Sequence, residues 1–218
     1  MTRDAHRYTS GKNARSPNGR TGRILALAVA LLTLVRIDPL AAAELAPAEG
    51  RFLVAAQEMV DPNFGQTIIL LLKFSEEGAM GLIINRPTAV LPEQAIPDID
   101  GLRRYDGPLF FGGPVQMNVV TFLVRDADAL ESADFVLKNV QYSVDAGALT
   151  TLTEQGADAT HLRVYAGYAG WAAGQLEEEL ARGGWHVVEG DARVIFSDDP
   201  EKSWGDLVPL PEPLSASN

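Results

Sequence analysis

The sequence predicts an α+β fold. Three observations carry this. Short apolar runs, most of eight residues or fewer, recur along the chain between turn signatures. Only two or three stretches show helical spacing. A regular alternation of strand and helix is missing, which argues against a doubly wound parallel sheet.

Arg51–Ala55 reads as a first strand, and Asp61-Pro62-Asn63 as a turn, because Pro presets φ and Asp and Asn tolerate turn conformations. Thr67–Phe74 (TIILLLKF) is a nearly continuous apolar run, as expected of a strand buried on both faces. Ser75–Gly78 is a polar turn, and Ala79–Asn85 is the return strand of a hairpin. Arg86-Pro87 ends it. Thr88–Pro108 is proline-rich and acidic and reads as a long loop with a short helix around Pro92–Ile96. Leu109–Phe111 is a short strand stopped by Gly112-Gly113-Pro114. Val119–Val124 is a buried strand, and Phe135–Val144 a further strand or pair. Asp145 can cap a helix over Ala146–Gln155 with Leu149 and Leu152 inward. Leu162–Ala166 is a strand. A glycine-dense turn follows from Gly167, then a helix after Gly170 with Ala173, Leu176 and Leu180 on one face. Gly183-Gly184 stops that helix. Trp185–Val188 and Val194–Phe196 read as short strands, and Asp199-Pro200 as the start of a helix running to Leu207.

The chain has 218 residues, 46% of them hydrophobic, and a formal net charge of −11. The charge is unevenly placed. Residues 1–43 hold seven of the 18 basic residues and two of the 29 acidic ones, which leaves 11 basic and 27 acidic residues beyond them, a net of −16. So acidic a body disfavours nucleic acid, whose affinity rests on basic side chains that displace counterions. Cysteine is absent, which excludes disulfides, thiol nucleophiles and thiolate metal sites. Within residues 1–43 a basic stretch precedes the twelve-residue apolar run Ile24–Val35, and Ala41-Ala42-Ala43 offers a small-residue cleavage site. That pattern is expected of a secretory signal peptide or, uncleaved, an N-terminal anchor. It places the protein in the periplasm or on a membrane; the alternative is a cytoplasmic protein with a mis-assigned start. Residues 44–50 read as a linker, 51–208 as one domain, and 209–218 as a disordered Pro/Ser tail.

Three strand-end turns are candidates to line a ligand site, and two of them carry glycines that allow close backbone approach. Asn85-Arg86 leaves one cation at a strand end, able to hold a carboxylate or phosphate or to pair with an acid. Gly112-Gly113 with Gln116 is the second. The third is Gly167–Gln175, with Tyr168, Trp171 and Gln175. It lacks the Lys and Ser/Thr of a phosphate loop, and three glutamates follow it, so close helix–sheet packing is the stronger reading. His6 lies in the leader-like segment, His161 and His186 have no partner at metal-ligand spacing, and no serine sits in a nucleophile-elbow pattern. The paired acids Asp98/Asp100, Asp126/Asp128 and Asp198/Asp199 read as solvated loops. No cofactor motif is present, and none is expected.

Five segments, taken together and in order, resemble the YqgE/AlgH family of bacterial proteins. They are Gly50–Ala55, Asp61–Phe64, Glu77–Pro87, Gly112–Val115 and Gly167–Glu179. The resemblance covers Arg51 to Leu207. It implies a strongly bent, mostly antiparallel, barrel-like sheet flanked by two or three main helices. It implies no established catalytic activity and lends no catalytic residues. The label of transcriptional regulator borne by some members comes without a recognised DNA-binding motif. This chain departs from the family in its N-terminal segment and around Ala56–Met59, where members have a proline-containing segment.

The reading with most support is a non-enzymatic protein that binds a small molecule or a protein partner. Its pocket is expected where Asn85, Arg86, Gly112, Gly113, Gln116, Tyr168, Trp171 and Gln175 converge. A transcriptional regulator, or a hydrolase or isomerase using Arg86 and an acid, are the alternatives. Membrane contact is expected only through the N-terminal segment.

Overall fold

A computed structural model describes residues 45–210. The segment read as a leader and the end of the tail lie outside the described residues. The elements in chain order are β1 (Phe52–Ala55), β2 (Ile68–Ser75), β3 (Gly78–Ile83), α1 (Pro92–Ala95), a 3-10 turn (Asp100–Arg104), β4 (Leu109–Phe111) and β5 (Val115–Arg125). They continue with β6 (Asp134–Leu137), β7 (Val140–Ser143), α2 (Ala146–Glu154), β8 (Leu162–Ala172), α3 (Gln175–Ala181), β9 (Trp185–Val188), α4 (Ala192–Ile195) and α5 (Ser203–Leu207). The fold is α+β.

One sheet takes the order β6-β7-β5-β8-β3-β2-β1-β9, with every pair antiparallel; β4 adds to β8 in parallel. The sheet bends around an inner core but does not close, since β6 and β9 remain unpaired with each other. Strand alternation divides the apolar side chains. Phe52, Leu70, Leu72, Leu82 and Tyr165 enter the inner core, while Leu53, Ile69, Leu71 and Ile83 face outward beneath α3. This explains the continuous apolar run of β2, whose two faces both meet cores. A third cluster lies under α2, where Leu149 and Leu152 meet Phe122, Leu162 and Val164. Asp145 caps α2 by accepting from Ala148 N–H at 2.7 Å.

β4 and β5 pass on opposite flanks of β8. Both Phe111 and Val120 are paired with Ala166, and a strand residue has only two flanks. The connecting turn at Gly112-Gly113-Pro114 therefore crosses over β8. It is fastened there by Gly112 N–H to Ala166 O and by Ile83 N–H to Gly112 O, each 2.8 Å. Any Cβ on Gly113 would collide with the Tyr168 carbonyl, and one on Gly167 (φ +70°) with the Gly113 carbonyl oxygen. Residues 116–119 then bulge out opposite Gly167, with Gln116 at φ +48° and exposed.

The glycine-dense segment differs from its sequence reading. β8 continues through it to Ala172, and the helix starts at Gln175 after Gly174 (φ +76°) rather than after Gly170. Ladder pairing of Ala169–Ala172 with Gly78–Gly81 outweighs the glycines. Leu176 is buried as expected, but Ala173 lies in the exposed turn. Val194–Phe196, read as a strand, forms α4 instead, because Asp191 caps its first turn through Arg193 N–H at 2.8 Å. The last helix starts at Ser203, not Pro200. Arg125 and Arg163 dock the α4 end onto the sheet. Arg125 lies over Phe196 at 4.9 Å, and Arg163 lies over Phe110 at 5.1 Å while donating to Ser197 O.

The crossing predicts which glycine the fold cannot lose. Gly167→Ala is expected to cost about 3 kcal/mol or more, since strain and a backbone collision combine. Gly156→Ala, also at positive φ but with nothing within 4 Å, should cost only about 1–2 kcal/mol. Urea denaturation followed by tryptophan fluorescence separates the two; equal losses would refute the crossing as the constraint.

Candidate functional site

The turn at the end of β3 is a structural clamp. Asn85 is buried; its Oδ1 accepts from Ile68 N–H at 2.8 Å and its Nδ2 donates to Gln66 O at 3.0 Å. Arg86 donates to Asn63 O at 2.6 Å, Gly65 O at 2.8 Å and, at the edge of bonding distance, Pro62 O at 3.5 Å. Partial burial lowers the Arg86 pKa, opposed by Asp61. The guanidinium expected to hold a carboxylate or phosphate ligand, or to pair with an acid, instead spends its donors on backbone carbonyls of the 61–65 loop. Its fork suits that task, since several carbonyls converge on it.

The clamped loop presents Phe64 to two tryptophans. Phe64 stacks on Trp171 at 6.4 Å and meets Trp185 edge-on at 5.8 Å; the two indoles are 6.1 Å apart. Both indole N–H groups donate to Glu179 on α3, at 3.0 Å from Trp171 and 2.9 Å from Trp185, and Gln175 Nε2 adds a third bond at 3.0 Å. Burial pushes the Glu179 carboxyl up, but the donors Trp185, Trp171 and Gln175, with Arg182, hold it below its ordinary value. Gln175 also accepts from Ala172 N–H at 3.2 Å. Trp171 and Gln175 thus join α3 to the sheet.

A cleft of about 500 Å³ opens on the opposite face of the same strands. Met80, Val115 and Tyr168 supply its apolar walls, Gly170 its floor, and Lys73 and Glu77 its charged edge. Lys73 is there because of a β-bulge. By strict alternation it would follow Ile69 and Leu71 toward the outer core. The register slips between Leu71 and Lys73, so Lys73 stands opposite Met80 and Phe74 takes the outer face. Glu77 is tied to the turn by Ser75 Oγ–H at 2.6 Å. Of the eight residues expected in one pocket, Tyr168 and Trp171 border this cleft, and the Trp171 indole turns away from it. Asn85 and Arg86 clamp the loop, Gly112 and Gly113 make the crossing, Gln116 lies in the bulge and Gln175 joins the helix. Lys73, Met80, Val115 and Gly170, which also line the cleft, are not among the eight. Only Gly170 carried a local signal, as part of the glycine-dense motif.

The AlgH-like family profile matches residues 52–210. The chain belongs to the AlgH-like family. It is 35% identical over 160 residues to a UPF0301 protein of Chlorobaculum tepidum, covering 73% of this chain and 84% of that one. A UPF0301 protein of Streptomyces coelicolor is 36% identical over 168 residues, with 76% and 87% covered. The solution structure of the AlgH protein from Pseudomonas aeruginosa superposes with a TM-score of 0.61 at 31% identity, covering 75% of this chain and 89% of that one. A crystal structure from Corynebacterium diphtheriae shares the fold, with a TM-score of 0.63 at 24% identity. AlgH-like membership brings a fold and no assigned activity.

Glu179 makes the acid limb of stability testable. Its folded pKa lies below the ordinary 4.5. Its contribution is therefore full above about pH 4.5 and lost as pH falls through the lower folded value. Glu179→Gln should flatten stability in that window and change Trp171 and Trp185 fluorescence at neutral pH. A variant with the wild-type acid limb would show that the carboxylate does not carry it.

Proposed function

We propose that this AlgH-like chain is a non-catalytic binding domain whose contact surface is the cleft between the β2–β3 hairpin and β8. The supporting observation is the bulge in β2, which brings a cation to the edge of an apolar, glycine-floored depression. Binding sites combine apolar walls with few polar groups in this way. Lys73 has no ion-pair partner among the described residues.

An NMR titration of the full chain with small aromatic carboxylates and short peptides tests this reading. Amide shifts should concentrate at Lys73, Met80, Tyr168 and Gly170. Lys73→Glu, at an exposed position, should weaken carboxylate probes by about tenfold, the size of one charge-assisted contact. Shifts that avoid the cleft, or none at millimolar probe, would overturn it.

The proposal also places the domain outside the cytoplasm. The basic stretch, the twelve-residue apolar run and Ala41–Ala43 support export. A reporter fused to residues 1–50 should leave the cytoplasm. Its retention there would refute export. No helix among the described residues is long and apolar enough to cross a membrane.

A further inference from the structure

We propose that the occupant of the cleft is an extended peptide segment that pairs, main chain to main chain, with β8 at Gly170. This rests on the cleft being the binding surface.

Hydrogen-bond parity identifies a free position on β8. Ile83 N–H points toward the β4 and β8 side, since it donates to Gly112 O. Along β3, Gly81 and Ala79 share that direction, so their partners Ala169 and Trp171 are the residues that bond back to β3. Gly170, between them, directs its N–H and C=O to the other flank. Ala172 fits this parity, its N–H being taken there by Gln175. On that flank β5 covers β8 only as far as the Val115–Tyr168 pair. Beyond it no strand pairs with β8 on that flank among the described residues, and no turn or loop backbone there bonds Gly170. Gly170 is exposed.

One donor and one acceptor on the same strand residue match a single residue of an extended chain, which offers the same two groups in reverse. The side chains agree. Lys73, Met80 and Gly170 form one row across a face of the sheet. A peptide residue opposite Gly170 would extend that row, and the missing side chain at Gly170 leaves room for a large apolar one. That side chain would lie across the glycine against Met80 and Tyr168. A small molecule without a main chain would fill the cleft and leave the Gly170 amide and carbonyl unused.

The probe is a set of linear peptides selected from a random display library on the full-length chain. The best binder is resynthesised with N-methyl groups placed one residue at a time. A single position should lose about tenfold or more in affinity, the cost of one buried main-chain bond, and its immediate neighbours, facing away, should tolerate methylation. The Gly170 amide should be among the most shifted and should slow in hydrogen exchange. Gly170→Leu should lose about tenfold by filling the row. The atoms nearest its Cβ would be the Tyr168 ring, at 3.3 and 3.7 Å, and Val115 Cγ2 at 3.9 Å, side chains that can give way, so the variant should fold. Should it fail to fold, the methyl scan decides alone. Peptides that bind the cleft but tolerate every N-methyl overturn strand addition. Small molecules binding there with no peptide selectable do the same, while leaving the cleft as the site. No binding at the cleft by any probe removes both readings.

Discussion

Gly112 and Gly113 lie against the main chain of β8 at Gly167–Ala169, and no side chain fits between them. That contact lets the chain pass from one flank of β8 to the other without leaving the sheet. β4 and β3 then share one flank in succession, and β5 holds the other. With β8 enclosed on both flanks, Tyr165 is fully buried in the inner core and Val164 in the cluster under α2. A strand in that position organises both clusters, and the cost of a Cβ at the crossing falls on all of them.

Two polar devices hold the outer face. Asn85 and Arg86 satisfy backbone groups of the 61–68 segment that would otherwise be left without partners, and so set Phe64 against the tryptophans. Glu179 then gathers both indole N–H groups onto α3. A buried indole N–H without an acceptor is costly, so a single carboxylate serving two of them links helix and sheet more firmly than apolar contact alone. An arginine at a strand end, which looks like ligand-binding chemistry in one dimension, is consumed here by the fold.

The cleft is a by-product of the same geometry. β5 starts only at Val115 because the crossing precedes it, so the end of β8 is left with β3 on one flank alone. The bulge in β2 turns Lys73 to that side. Main-chain groups, an apolar wall and one cation meet there, on a face that the outer helix does not cover.

Local chemistry made much of this legible. The apolar run of β2, the Leu109–Phe111 and Trp185–Val188 strands, the Asp145 cap and the hairpin after Ser75 follow from alternation and turn residues, which act over a few positions. The family-bearing motifs were visible for the same reason. What the tertiary structure decided are the features set by partners far along the chain. Gly167–Gly170 reads as a turn, and the residues after it as helix, until Gly78–Gly81 pairs with Ala169–Ala172 and extends the strand through them. Val194–Phe196 reads as a strand until no neighbour pairs with it. Arg86 reads as the partner of an anionic ligand or an acid until the 61–65 carbonyls close on it, and Lys73 looks core-facing until the register slips. Sequence pattern records a residue's own preference, whereas the flank it occupies and the groups left unpaired depend on which strand arrives beside it.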